Sequence, residues 1–167
     1  VQEQLKHGEF EPEGVEVAFQ GGRIDRVDTM ETEEGKVYVR VVDYKTGNTS
    51  FELVSLYHGL QLQLMIYLDG AILVEENKHP GQDVIPAGVF YYNIKDPMIQ
   101  EKIDADVEDV QQKVLKELKM NGLVQADPEI VEKMDSSLMS LPVAYHKDGS
   151  FRKTSSVATR EQLGILS

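Results

Sequence analysis

Apolar and polar positions alternate over the first third of the chain, and helical spacing takes over near Ser55. Val15, Val17 and Phe19 alternate with Glu16 and Ala18, which predicts a short strand, with Gly21-Gly22 as a break after it. Residues 23–28 form a second extended segment, and 29–36 read as a polar, glycine-containing turn. The clearest strand runs from Val37 to Lys45, with Val37, Val39 and Val41 on one face and Tyr38, Arg40 and Val42 on the other. The pair predicts a β-hairpin, closed by turn-forming residues from Thr46 to Ser50. From Ser55 to about Val74, Leu56, Leu60, Leu64, Tyr67 and Ala71 share one stripe. Leu62, Met65, Ile66, Leu68 and Ile72 widen it until the helix is apolar on most sides, which predicts burial.

Further along, 77–83 reads as a loop and Ile85 to Ile94 as an apolar strand. Val107, Val110, Val114 and Leu118 recur at helical spacing, giving a surface helix that stops near Asn121-Gly122. Asp127 and Pro128 supply an N-cap and first residue for a shorter helix. A strand is expected over 141–145 and a turn at Lys147-Asp148-Gly149, and Thr159 to Gln162 fits a capping box. Residues 1–14 are polar and rich in Glu, Gly and Pro, a loose lead-in. The order predicts one mixed α/β domain, and 167 residues suit one domain rather than two.

Composition narrows the picture by exclusion. With 41% apolar and 28% charged residues the chain has the make-up of a globular domain. There is no cysteine, so these residues offer neither a disulfide framework nor a thiolate-held zinc or iron–sulfur site, and a cytoplasmic setting is expected. No apolar run approaches the roughly 18–20 residues that span a bilayer, so no membrane association is expected. The first residues carry no signal-peptide pattern, and without an initiator methionine the chain reads as part of something longer. The net charge of −12 argues against a stand-alone nucleic-acid-binding module, because phosphate backbones are held by Lys and Arg.

The charged end of the third strand points the other way. Asp43 and Lys45 continue the face of Val37, Val39 and Val41, so a carboxylate and an ammonium end a buried strip. Such an ending is costly unless both charges find partners, and a divalent cation with a phosphate would suit them. Asp25, on the preceding strand, comes within reach across the pair, and two carboxylates with a carbonyl and waters make an oxygen-only magnesium site. Taken alone, an Asp-x-Lys strand end is an ordinary surface ion pair. What singles this one out is the run of a Gly-x-Ile-Asp segment, then the strand, then a buried helix holding glutamine.

Three stretches carry a resemblance: Gly22 to Asp28, Val42 to Thr46, and Gly59 to Leu68. Together they resemble the RecB-type branch of the PD-(D/E)XK nucleases. Phe90-Tyr91-Tyr92-Asn93-Ile94-Lys95-Asp96-Pro97 and Asn121 to Val124 are similar to the C-terminal nuclease domain of AddB-type helicase–nuclease subunits. The resemblance covers most of residues 15–167. It implies a restriction-endonuclease-like core, a mixed β-sheet flanked by helices. Asp25 and Asp43 match the metal-binding acids, Lys45 the catalytic lysine, and the Tyr44 carbonyl a further ligand. For the helix glutamine, Gln61 aligns better with the RecB form, whereas Gln63 shares its face with Tyr67 as a Gln-x-x-x-Tyr pair. The resemblance further implies Mg²⁺, with Mn²⁺ as alternative, single-stranded DNA delivered by a helicase, and an AddA-like partner subunit.

Two departures stand out. The family commonly holds an iron–sulfur cluster through flanking cysteines, and this chain contains none. No clear acidic or histidine ligand precedes Val15, His7 being a weak candidate, and the step from Phe19 to Gly22 is short for the family. Several residues have plainer readings. Arg26 and Asp28 form a structural pair, with Arg26 near enough to support a phosphate. Tyr57 and His58 start the buried helix in core or surface roles, and His79 and His146 sit in loops without partners. Tyr91 and Tyr92 are core aromatics or base-stacking platforms, and the run Asp104 to Asp109 is a solvated helix start. The alternatives to a helicase-linked exonuclease are a non-catalytic scaffold on the same fold and a free-standing CRISPR-type nuclease.

Overall fold

A computed structural model describes residues 11–13, 18–19, 22–47, 49–52, 55, 62–94 and 119–166. In chain order the strands are β1 (Glu11–Glu13), β2 (Ala18–Phe19), β3 (Gly22–Arg23), β4 (Arg26–Glu31) and β5 (Lys36–Lys45). Helix α1 (Leu62–Lys78), β6 (Asp83–Asn93), β7 (Asn121–Gln125) and α2 (Pro128–Met134) follow, then β8 (Val157–Ala158) and α3 (Arg160–Leu166). Among the described residues six strands form one sheet in the order β1-β4-β5-β6-β7-β8, and β2 and β3 make a small separate ribbon.

β5 is the centre of the sheet and its sequence shows why. It is paired antiparallel to β4 and parallel to β6, and both of its faces are covered, which calls for apolar residues on both. Val37, Val39 and Val41 pack beneath α1 against Leu64, Met65, Leu68 and Ala71, joined by Leu163 of α3. On the other face Tyr38 meets Ile85, Ala87 and Ile130, and Val42 meets Phe90, Val124 and Val131 of α2. Parallel strands need a long crossover, and α1 lies within the one between β5 and β6. The arrangement leaves the carboxyl ends of β5 and β6 side by side, where open α/β sheets ordinarily take their ligands.

β6 carries a proline inside a central strand, a place a sheet normally refuses because proline has no N–H to donate. The register explains it: Val39 pairs with Pro86 and Arg40 with Gly88, so Ala87 is an extra residue in a bulge. The turn between β4 and β5 spans only 32–35, since β4 continues to Glu31 and Gly35 takes a φ of 75°.

The local capping signals are realised. The Asp127 side chain accepts from the Glu129 N–H with Pro128 opening α2. The Thr159 and Gln162 side chains each accept from the other's N–H, at 3.1 and 2.9 Å. The Lys147-Asp148-Gly149 turn forms, with Gly149 at a φ of 83°.

Other expectations need correction. The end of the lead-in is structured: Glu11–Glu13 pair with Thr29 to Val27 of β4. The Gly22 break is itself paired, Gly22 opposite Phe19. Asn121-Gly122, read as a helix stop, instead opens β7. Its Asn-Gly start mimics a stop signal, but Gly122 is needed where the strand passes Phe90. Residues 141–145 supply one isolated bridge, Tyr145 to Phe151, although Leu141 and Val143 are buried. Helix α1 runs four residues beyond the expected end, and its outer side is open, with Ile66 and Leu73 more than half exposed. The expected surface helix from Val107 to Leu118, Val15, Val17, Leu56 and Leu60 lie outside the described residues.

One buried charge cluster ties the sheet together. Asp28 is fully buried on β4, and its carboxylate accepts from Arg26 Nε at 2.7 Å and Arg40 Nε at 2.6 Å. The expected Arg26–Asp28 pair is therefore one half of a three-residue bridge across β4 and β5. Asp28→Ala would remove the buried carboxylate that the Arg26 and Arg40 guanidinium groups share. The expected cost is about 3–5 kcal/mol, measured as a lower urea midpoint at unchanged m.

Candidate active site

The carboxyl end of β5 brings the sequence-predicted charges together. Side-chain alternation places Asp43 and Lys45 on the α1 side of the sheet, while Tyr44 faces the other way. Asp25 is on a bend just before β4 rather than on a strand. It stands one step beyond the Arg26–Val42 pair, and therefore opposite Asp43. Its carboxylate accepts from the Tyr44 N–H at 2.9 Å, which ties the bend to the strand end.

Asp43 is 3% exposed, and Lys45 Nζ lies 2.5 Å from its Oδ2. That oxygen nonetheless receives no properly directed hydrogen bond, so it is in ionic contact but orphaned as an acceptor. Burial pushes the Asp43 carboxyl above the usual carboxylate range. Lys45 pulls it back without cancelling the shift, and the facing Asp25 carboxylate adds to the upward push. Lys45 in turn is held above the ordinary lysine value, chiefly by its contact with Asp43. A buried carboxylate that a facing carboxylate pushes further up, with an oxygen that takes no directed hydrogen bond from its one ammonium partner, has room for a second cation. A divalent ion fits this donor set: it takes oxygen ligands, and magnesium is commonly held by one or two carboxylates and keeps several waters. Among the described residues no group of three or more His, Asp or Glu gathers, so a metal here relies on two carboxylates, a carbonyl and solvent.

The supporting residues come from β6 and α1. Tyr91 is Asp43's neighbour across the parallel pair, and Lys45 Nζ stands 5.5 Å from the centre of its ring. That aromatic platform for the lysine is a contact the sequence reading missed. A signal existed, since Tyr91 lies on an apolar strand, but only the parallel register makes it Asp43's neighbour. On α1, Gln63 Nε2 donates to Tyr67 Oη at 2.7 Å, so the Gln-x-x-x-Tyr pair is formed. Gln61, Tyr57, His58 and His7 lie outside the described residues. His79 has partners after all, with Nδ1 2.8 Å from Glu31 Oε1 and Nε2 3.4 Å from buried Glu75. These lie at the opposite end of α1 from Gln63.

Residues 1–157 match the model of the PD-(D/E)XK nuclease superfamily. The chain belongs to that superfamily. Its core accordingly is the restriction-endonuclease-like α/β fold, a mixed sheet flanked by helices. The B subunit of an ATP-dependent helicase/deoxyribonuclease from Lachnoclostridium phytofermentans is 42% identical over 98% of this chain and 16% of the relative. Proteins of the same name from Clostridium acetobutylicum and Clostridioides difficile are 38% and 37% identical, each over 99% of this chain and 16% of the relative. The chain thus spans about a sixth of the length of these curated relatives. No helix among the described residues is long and apolar enough to cross a membrane.

Proposed function

We propose that this chain is the nuclease domain of an AddB-type helicase–nuclease subunit. In this reading it acts as a magnesium-dependent exonuclease on single-stranded DNA that a helicase delivers. It works beside an AddA-like subunit in the cytoplasm, in double-strand-break repair and recombination. The iron–sulfur cluster expected of the family would need cysteines outside these residues. The observation that carries the proposal is the buried, under-bonded Asp43 carboxylate between Asp25 and Lys45 at the carboxyl end of β5.

A divalent cation held by Asp25, Asp43 and the Tyr44 carbonyl would polarise the phosphodiester and lower the pKa of a bound water. The chain's own residues do the rest. Lys45, with its pKa raised, stays an ammonium at neutral pH and offers protons for hydrogen bonds rather than a base. It therefore suits holding a non-bridging phosphate oxygen and orienting the attacking water. Asp25 holds the Tyr44 N–H and so fixes the backbone that carries both Asp43 and Lys45. The Tyr91 ring limits where Lys45 can swing once Asp43 is engaged elsewhere. Gln63 and Tyr67, locked to each other, stand on the helix that covers this face as a second support.

The test is strand cleavage by the assembled helicase–nuclease, each strand labelled separately, with Lys45→Ala in this domain. Cleavage of the strand this domain handles should fall about a thousandfold, the scale of losing one preorganised electrostatic contact. Undiminished cleavage of both strands would leave only a scaffold role. A finer variant probes the platform. Tyr91→Phe keeps the ring and should cleave normally, whereas Tyr91→Leu should lower kcat roughly tenfold, within the range of a partly desolvated cation–π contact.

A further inference from the structure

The face of the sheet opposite α1 carries a groove of ≈ 410 Å³ at the same strand ends, bordered by Arg26, Tyr44, Tyr92, Met120 and Met134. Its size lies in the range of small-ligand pockets, roughly 300–1,000 Å³. Tyr44 connects it to the candidate active site. The residue lies between Asp43 and Lys45, so its ring lines the groove while its neighbours' side chains serve the other face. The Tyr44 and Tyr92 rings meet edge to face with centroids 5.9 Å apart, and Arg26 Nη1 reaches Tyr44 Oη at 3.4 Å. Arg26 and Arg40, both on the groove, share the single carboxylate of Asp28. The groove thus sets two guanidinium groups beside two aromatic rings.

We propose that this groove binds one unstacked nucleobase of the single strand whose phosphate lies at Asp43 and Lys45. The inference rests on the nuclease reading above and adds a second foothold for the same DNA. Aromatic side chains and guanidinium groups take the flat face of any base, so such a site grips the strand without reading its sequence. The two guanidinium groups also suit the polyanion, which the two carboxylates of the catalytic face do not attract without a metal. The groove and the metal-binding carboxylates are separated by the thickness of one sheet, so the base belongs to a nucleotide one or two steps from the scissile phosphate. A processive enzyme that must not release its strand between cuts gains from such a hold.

The experiment uses the full-length subunit with its helicase partner and single strands carrying 5-iododeoxyuridine at successive positions. Strands are irradiated with divalent metal withheld, and the cross-linked peptides are mapped by mass spectrometry. Cross-links to Tyr44 or Tyr92 are expected to peak one or two nucleotides from the cut site found when metal is restored. Tyr92→Leu should raise KM about tenfold at unchanged kcat, and Tyr92→Phe should behave as wild type. An abasic nucleotide at that position should raise the wild-type KM to the level of Tyr92→Leu and leave the variant unaffected. Cleavage with cross-links only elsewhere would overturn the inference alone, as expected if another part of the longer protein fills the groove. An unchanged KM in Tyr92→Leu would do the same. Absence of cleavage by this domain with metal restored would overturn the nuclease reading and this inference with it. The wild-type cross-links decide the matter even if Tyr92→Leu folds poorly.

Discussion

Replacing Asp43 by asparagine is expected to raise the melting temperature of the metal-free chain while removing both its response to magnesium and its cleavage of DNA. The carboxylate is 3% exposed, one of its oxygens lacks a directed hydrogen bond, and Asp25 faces it. Folding without metal therefore confines a charge that solvent would hold better. Asparagine has the same shape and no charge, and Lys45, 30% exposed, can turn its ammonium to water. A gain of about 1–2 kcal/mol is expected, which in a domain of this size is roughly 2–8 °C. The pH dependence has a definite sign. A carboxyl whose pKa is raised on folding contributes most below its unfolded value, near 4, and that contribution is lost as pH rises through the folded value. The metal-free chain should thus weaken across that window, and Asp43→Asn should flatten the curve. Magnesium should restore the wild type by mass action on the folded state and leave the variant unmoved. Differential scanning fluorimetry at several pH values, with and without magnesium, separates these effects. A variant that melts lower than wild type without metal would contradict the account. In cleavage the same change should cost at least about a thousandfold, roughly 4 kcal/mol of transition-state stabilisation.

Gly122→Ala is expected to damage the fold itself. A Cβ at Gly122 would lie 2.0 Å from the Val89 carbonyl oxygen and 2.8 Å from Phe90 Cα. Both obstacles are backbone in the paired strand, so no rotamer change relieves them. Overpacking usually costs about 1–3 kcal/mol because neighbouring side chains yield. Here β7 must pull away from β6, and the cost should exceed that range and approach the whole stability of a domain, about 5–15 kcal/mol. The expected outcome is insoluble protein, or a chain without a cooperative thermal transition. Gly164→Ala, which meets nothing within 4 Å on α3, serves as the control and should fold normally. A soluble Gly122→Ala with a normal melting curve would refute the close packing of β6 and β7.

The two predictions differ in how far the sequence anticipates them. Asp43 is legible from alternation: an apolar face of Val37, Val39 and Val41 that ends in Asp43 and Lys45 announces a charged cluster at a strand end. Gly122 is misread, because Asn-Gly is a common stop and nothing local reveals a strand passing within a van der Waals radius. The same division runs through the rest of the chain. Capping residues act within three or four positions, so Asp127-Pro128 and Thr159 to Gln162 could be assigned from sequence and are realised. Asp28's second arginine, Tyr91 beside Lys45 and the His79 contacts join residues distant in sequence, and none was legible.

The sequence by itself determined the strand that carries Asp43 and Lys45, the helix after it, the capped helix starts, and the superfamily resemblance. Those properties depend on side-chain periodicity and on short-range hydrogen bonds, which a linear chain displays directly. Only the tertiary structure decided that Asp25 sits on a bend and holds the Tyr44 N–H. It also decided that Asp43 is buried with an under-bonded oxygen, and that Tyr44 and Tyr92 border a groove with Arg26 and Arg40 on the other face of the sheet. Burial, register and the facing of two sheet surfaces arise when distant segments share one core, and the desolvation that tunes Asp43 exists only there.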